Sequence, residues 1–468
     1  EGFVAVHDPF QGWLWAKNFS TLVNGTGEFS QATHSGVHPS GDIFVSGVFS
    51  GETDFGGYSI NATSQDVFVA MLDAFSGTTL WVTSGGGVGA DALDDMAITP
   101  NGGIKLATAT GTISQWASFG YVAKGNVDAA IVELDEFGAV MGLEGIGTSG
   151  ESTRIYQIEV DANGDTYFSG TFGGTIGSTG WSATATYGGN DIFIVRSSNT
   201  QANTWSFVSG SSINDFPEAL TVTSSGSVIF GGLMNDTFYA GTKSLLNQNH
   251  DGFLVGLSPS GSVSWIEKFG GSEYDYVFAL ATNSSDFVGA TGSFSGSFTH
   301  KGVPLSSGGY RDVYAWIFDP ANLIDTDADG VPDSSDNCPN ISNPVQANTD
   351  GDQQGDACDG DDDNDGLSDN FPDNCPRNGE FNWTSARDFN DPVNSTDWDN
   401  DGCKDDTSED LDDDNDGIVD VDDTCPLTAY TPPRPTWVSD STTDVDGDGC
   451  RDSDEDIDDD NDGFEDAA

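Results

Sequence analysis

The chain has 468 residues, with 77 Asp or Glu against 14 Lys or Arg, for a formal charge of −63 and a pI near 4.1. That balance excludes nucleic acid, or an anionic membrane, as a partner met through a basic surface, because like charges repel. No apolar run is long enough for a bilayer span, so direct membrane insertion is excluded as well. The 60 glycines and 11% aromatic residues read as turn-rich β-structure. Residue 1 is Glu, with no charged-then-apolar leader ahead of it, which reads as a processed or partial product.

The charge is unevenly spread. Residues 1–324 hold 31 acids against 9 bases, a net of −22, whereas residues 325–468 hold 46 against 5, a net of −41. All six cysteines lie in the second segment. The composition therefore predicts two domains, 1–322 and 323–468.

Along the first domain a strand-like run recurs. It reads EGFVAVHD from Glu1, DVFVAMLD from Asp66, DAAIVELD from Asp128, DIFIVRSS from Asp191, DGFLVGLS from Asp251 and DVYAWIFD from Asp312. The spacings are 65, 62, 63, 60 and 61 residues. A short turn and a Trp follow most copies, at Trp15, Trp81, Trp205 and Trp265, with Met141 and Ile324 in the other two places. Further alternating runs open at Asp42, Asp165 and Ser227 after SG- or NG-type turns, which are hairpin signals. A unit of about 60 residues with four short strands cannot bury both faces alone; stacking the units radially does so, which is the β-propeller arrangement. A linear solenoid is the other arrangement, with rungs usually shorter than this.

The repeat resembles the β-propeller repeat of bacterial and archaeal surface proteins, through its D-x-F-V-A-x-L-D core, its Trp and the F-G-G element at Phe55 and Phe269. Six copies of the run accompany only five copies of the two strands before it. Five blades close if the Gly12–Phe19 strand completes the last one, leaving Glu1–His7 surplus. An unpaired edge of that kind is a site for strand addition by another subunit.

Catalytic chemistry is hard to place in this domain. It holds all five His of the chain but no Cys, and no nucleophile setting of the G-x-S-x-G kind. The strand-opening acids recur in every repeat, which assigns them to the blade. No catalytic residue is expected, and the −22 reads as solubility charge.

The second domain is a series of calcium-type loops. Ca²⁺ takes six to eight oxygens, and a 12-residue loop supplies them from positions 1, 3, 5, 7, 9 and 12 around a Gly at 6. Asp325, Asp327, Asp329, the Val331 carbonyl, Asp333 and Asp336 fill every position. So do Asp412, Asp414, Asp416, Ile418, Asp420 and Asp423, and Asp444, Asp446, Asp448, Cys450, Asp452 and Glu455. Four loops depart from the pattern. Asn348, Asp350, Asp352, Gln354, Asp356 and Asp359 have Gln353 in place of Gly. Asp361, Asp363, Asp365, Leu367 and Asp369 close one residue late, on Asp373; Asp397, Asp399, Asp401, Cys403 and Asp405 do the same on Glu409. Asp458, Asp460, Asp462, Phe464 and Asp466 run out of chain before position 12. About seven ions are expected, and no flanking helices exist to make a switch.

Six cysteines allow 15 pairings. They alternate between a Cys-Pro kind (Cys338, Cys375, Cys425) and a second kind (Cys358, Cys403, Cys450), which favours Cys338–Cys358, Cys375–Cys403 and Cys425–Cys450. Disulfides call for an oxidising, extracellular setting. This segment is similar to the thrombospondin type-3 repeats, most closely over Asp325–Asp359. The resemblance implies a coreless tract wrapped on calcium ions, with disulfides between successive repeats. The stretches 376–396 and 426–443 are longer than that family's spacing.

N-x-[ST] sequons stand at Asn18, Asn24, Asn61, Asn235, Asn283, Asn340, Asn382 and Asn394, permitting N-glycosylation. The fold class expected is all-β: a propeller of five or six blades, then the calcium- and disulfide-stabilised tract. The function expected is a non-catalytic extracellular structural protein that assembles head-to-tail with other copies of itself. Two alternatives stand beside it. One is an adhesin binding glycans or surface proteins through Trp116, Trp181 or other exposed aromatics. The other is a secreted hydrolase or lyase, which needs a central acidic cluster.

Overall fold

A computed structural model describes residues 2–21, 29–198, 200, 204–246, 250–271, 273–327, 329–369, 373–377, 383–386, 396–399, 401–405, 407–427, 438–453 and 456–465. It divides into two compact units, Glu1–Ile324 and Asp325–Ala468. Of the predicted residues, Glu1, Asn24, Asn382, Asn394, Glu455 and Asp466 lie outside the described ones, as does most of 376–396 and 426–443.

The first unit is a propeller of five blades. Blade 1 consists of Phe29–Val37, Ile43–Asp54, Ser59–Leu72 and Thr79–Gly85; blade 2 of Asp91–Ile98, Ile104–Thr110, Asp128–Leu134 and Val140–Ile146. Blade 3 has Thr153–Val160, Thr166–Phe172, Asp191–Ser197 and Trp205–Gly210, and blade 4 has Phe216–Val222, Val228–Met234, Asp251–Leu257 and Val263–Phe269. Blade 5 has three strands, Tyr276–Thr282, Val288–Phe294 and Asp312–Phe318. Between the second and third strands an outer hairpin projects, formed in blade 1 by the extended ends of those strands. First strands of successive blades lie side by side and form the inner wall.

The recurring run is the third strand, and its period of two puts alternate residues on opposite faces. Val67, Val69 and Met71 pack onto Leu93, Ile104 and Leu106 of blade 2. Ile192 and Ile194 pack onto Leu220, Val228 and Phe230 of blade 4 in the same way. Each such side chain contributes roughly 1.5–3 kcal/mol when fully buried.

The repeated Trp latches one blade to the next. Trp81 and Trp205 donate their indole N–H to the carbonyls of Glu136 and Pro259, in the next blade's turn, at 3.2 and 3.0 Å, and Trp15 of the N-terminal hairpin does the same to Ala74 of blade 1 at 2.9 Å. A glycine with φ of +67°, +83° or +84° underlies each ring, at Gly77, Gly138 and Gly261. A Cβ there would meet the indole at 2.6–2.7 Å, so only glycine fits.

The strand-opening acids tie down the preceding turn. Asp128 accepts from the Tyr121 hydroxyl and the amides of Lys124 and Gly125; Asp191 accepts from the amides of Thr186 and Tyr187. Asp91, Asp128, Asp191, Asp215, Asp251 and Asp275 are at most 2% exposed. This corrects the reading of the propeller's charge as mere solubility charge: several of these acids are internal turn ties.

Closure of the ring also differs from expectation. Gly12–Thr21 pairs along its length with Gly2–Asp8, and through Ser20 and Thr21 with blade 1. It does not complete blade 5: among the described residues Asp312–Phe318 pairs only with Val288–Phe294. Local hairpin closure wins because a three-residue turn, 9–11, links Gly2–Asp8 to its neighbour. Phe19 and Val4 then bury against Phe49, Phe55 and Phe68. In the place of blade 5's fourth strand the chain enters a 3-10 turn, Pro320–Leu323, capped by the Asp319 side chain, and Ile324 packs near Trp265 and Phe318. Val313 is left 85% exposed, where its counterparts Val67, Ala129 and Ile192 are 0–1% exposed.

The second unit has no regular strand or helix among the described residues, and none of the hydrophobic clusters lies in it. Its buried apolar side chains are Cys338, Trp398, Cys403 and Cys450. Disulfides join Cys338 to Cys358, Cys375 to Cys403 and Cys425 to Cys450, across 20, 28 and 25 residues.

Candidate metal centres

Three backbone-to-carboxylate bonds recur through the acidic loops and shape each one before any ion is considered. The amide of Gly at position 6 donates to the carboxylate at position 1 in six loops, from Gly330 to Gly463, at 2.9–3.2 Å. In the remaining loop, where Gln353 replaces Gly, the Gly351 amide donates to Asn348 instead. The amide at position 7 donates to the carboxylate at position 5 in all seven loops, at 2.5–3.0 Å.

Position 9 has a role that the spacing alone did not reveal. Asp333, Asp356, Asp369, Asp405, Asp420 and Asp452 each accept from the backbone amide at position 2, at 2.7–3.1 Å, and so close the loop. The closing acids also accept locally: Asp336, Asp373 and Asp423 take the amides of Cys338, Cys375 and Cys425 at 2.7–2.8 Å. Each thereby orients the cysteine of a disulfide.

The oxygens left over converge. Ligand atoms of Asp325, Asp327 and Asp329 lie within 4.8 Å of one another, as do those of Asp361, Asp363 and Asp365, and of Asp397, Asp399 and Asp401. Asp350 and Asp352 gather with Asp359, their position-12 partner. In the loop opening at Asp361, one oxygen each of Asp361, Asp363, Asp365 and Asp373 is buried with no hydrogen-bond donor. These are positions 1, 3, 5 and the late closing acid. Buried carboxylate oxygens without donors are costly, and three converging acids with Asp373 in electrostatic reach fit a hard divalent cation that takes oxygen ligands. Asp327 and Asp336 leave one such oxygen each in the first loop, and Asp446 leaves two in the sixth.

Electrostatics agrees. Burial, then the neighbouring charges, push Asp363 and Asp423 up to about 7 and Asp373 up to about 6. Without a cation the loops hold protons instead, and an ion entering must release them.

Three buried acids were not foreseen as members of this array: Asp362, Asp410 and Asp413. Asp410 and Asp413 gather with Asp405 in a fully buried group. Asp362 receives the Arg377 guanidinium at 2.6 Å. The signal that could have found two of them is the Asp-Asp doublet at positions 1 and 2. Asp410 stands where Asp359 stands one loop pair earlier, each accepting from the amide two residues on.

Consecutive loops are linked by two devices in alternation. The disulfides tie the loop opening at Asp325 to that at Asn348, Asp361 to Asp397, and Asp412 to Asp444. Two of the remaining junctions are joined by an Asn at position 4: Asn364 donates to Asp350 and Asn415 to Asp399; at the third, Asn461 stands at the same position and favours the ionised form of Asp446.

The propeller holds a different group on its inner wall. Each first strand carries one extra residue at the same place: Thr33, Asp94, Tyr156, a residue of the Pro217–Glu218 pair, and Phe278. Bulges of this kind re-aim side chains. Asp94 accepts from Arg154 in the next blade, Asp95 accepts from the Ile158 amide, and Glu159 from the Val222 amide. Burial pushes Glu159 up to about 7.

The other predicted sites divide. Trp116 and Trp181 are 0% and 7% exposed, so neither is a ligand platform; both fill the space between outer hairpin and blade. Asn18, Asn61, Asn283 and Asn340 are exposed. Asn235 is half-buried, donating to the Asn214 carbonyl and paired with His250.

Comparison with known proteins agrees with the tract's geometry. The family model described as thrombospondin type 3 repeat matches residues 324–346 and 347–382. No curated protein matches the chain. Among solved structures, a protein of unknown function from Dyadobacter fermentans is 11% identical, with 68% of this chain and 83% of that one covered and a TM-score of 0.33. A puromycin hydrolase is 11% identical over 69% and 44%, with a TM-score of 0.34; a glucose dehydrogenase is 10% identical over 62% and 86%, at 0.29. At such scores none of the three bears on function. No helix among the described residues is long and apolar enough to cross a membrane. The tract is thus similar in sequence to calcium-binding thrombospondin type 3 repeats, and it follows a five-bladed propeller.

Proposed function

We propose that the chain is a non-catalytic, extracellular structural protein whose acidic tract binds about seven calcium ions and whose propeller is a rigid building block of a head-to-tail surface filament or matrix. One observation carries this reading. Seven carboxylate loops follow one another with no hydrophobic cluster among the described residues, and five of the six junctions between neighbours carry a disulfide or an Asn bridge. Such a series has structure only while ions fill it, which suits a spacer in a calcium-rich, oxidising setting. The bare third strand of blade 5 supports assembly, since it has no charge among its last six residues and no proline to blunt its edge. Electron microscopy of the purified chain with calcium and with EDTA tests the reading. Filaments with calcium that disperse in EDTA are expected; single particles in both conditions would refute it.

The inner-wall group of Asp94, Asp95, Arg154, Glu159 and Glu218 favours a second reading, a hydrolase or lyase carried on a calcium spacer. It ranks lower because Asp94, Asp95 and Glu159 already accept from Arg154 or backbone amides of the next blade. Turnover of an extracellular polysaccharide that is lost in Glu159→Gln would promote it.

A further inference from the structure

The loops joined by Asn bridges share more than a link. In two pairs the donor is the position-4 Asn of the second loop, and the acceptor is the position-3 carboxylate of the first, itself a predicted ion ligand. Asn364, Asn415 and Asn461 have φ of +56°, +55° and +51°, a left-handed conformation that Asn tolerates better than most residues. That turn, set between the position-3 and position-5 ligands of the second loop, swings the amide out of its own loop and onto the neighbour. Asn415 also reaches Asp401, at 3.3 Å, so it touches two ligands of the loop opening at Asp397.

We infer that Asn364 and Asn415 are positioning residues that make calcium binding cooperative within the loop pairs 348/361 and 397/412, while the loop opening at Asp325 binds on its own. The physical route is short. A hydrogen bond to a ligating carboxylate fixes its rotamer and aims its remaining lone pairs, and such partners change metal affinity by about 10–100-fold. The amide can do this only when the second loop's turn is held in shape, which an ion bound at positions 1, 3 and 5 enforces. Filling the second loop therefore prepares the first, and by linkage filling the first favours the second by the same factor. The disulfide junctions offer no comparable route, since a disulfide constrains the chain whether or not ions are bound. The inference rests on the calcium reading and gives it a unit: the pair.

Trp398 makes the test local. It occupies position 2 of the loop opening at Asp397 and is 1% exposed, so a terbium ion in that loop is excited through it. The signal is assigned by its loss in Trp398→Phe. The variant is Asn415→Gly, which keeps the left-handed turn and deletes the amide, in a residue that belongs to the other loop. In the full-length chain, terbium titration of Asn415→Gly should show the Trp398 signal moved to about tenfold or more higher ion concentration, with a less steep rise. The number of calcium ions bound at saturation should stay unchanged. An unshifted Trp398 titration would overturn the inference, and so would a loss of bound ions, which would make Asn415 a merely structural residue. Absence of any terbium or calcium binding by the unmodified chain would instead remove the calcium reading itself.

Discussion

The two units use the same residue, aspartate, to opposite ends. In the propeller a buried Asp such as Asp128 closes its own turn, receiving a hydroxyl and two amides, and donorless oxygens, as on Asp91 and Asp191, sit beside such ties. In the tract a buried Asp such as Asp363 keeps an oxygen with no donor within a cluster of carboxylates, so its charge needs something from outside. One region is folded by apolar burial, with carboxylates as accessories. The other has carboxylates as its interior, and its fold is a statement about the solution around it.

Three experiments sharpen that contrast. The largest effect belongs to the propeller core. Phe230→Ala, in the cluster with Phe238 and Phe253, should destabilise the propeller by about 3–5 kcal/mol. Urea unfolding followed by tryptophan fluorescence measures it, and calcium binding by the tract should be unaltered. Next comes the disulfide that spans 28 residues. Replacing Cys375 and Cys403 by Ser should cost the tract roughly 3–4 kcal/mol, seen as faster proteolysis between residues 361 and 409 with no change in the propeller's melting.

The smallest effect concerns pH, where the two regions should move in opposite directions. Burial, reinforced by Asp66 and Asp191, pushes Asp91 and Asp215 up to about 6, above the ordinary carboxylate value of 3.8. The folded propeller therefore binds protons better than the unfolded chain. Their contribution to stability is fully present below about pH 4 and is lost as pH rises through about 6. In the tract Asp363 and Asp423, near 7 without an ion, exchange protons for calcium, so ion affinity rises with pH through that range. Melting curves between pH 4 and 8 at fixed free calcium should resolve a propeller transition that declines and a tract transition that climbs.

Much of this was legible in the chain itself. The repeat of 60–65 residues located every third strand, because a buried strand with an acidic opener leaves a sharp pattern. The cysteine pairing followed from the alternation of Cys-Pro with the second kind. What stayed hidden was decided by partners far along the chain. The short turn between Gly2–Asp8 and Gly12–Thr21 is local, but whether that hairpin also serves Asp312–Phe318 depends on the two ends of the unit meeting. Trp116 and Trp181 read as exposed aromatics, but the outer hairpins that carry them turn both rings into the blade. Position 9 matched a ligand template, yet its bond to the position-2 amide depends on loop closure that spacing cannot express. The acids at Asp94, Glu159 and Glu218 belong to three blades, so only the closed inner wall brings them near one another.

Hydrogen exchange of the full-length chain, with calcium and after chelation, puts the central claim to the most direct test. Chelation should strip protection from the amides of residues 325–465, beginning with Gly366, Leu367, Gly417 and Ile418, and leave the strands of Glu1–Ile324 as slow as before. Unchanged protection in the acidic tract, or equal loss in both units, would contradict the account.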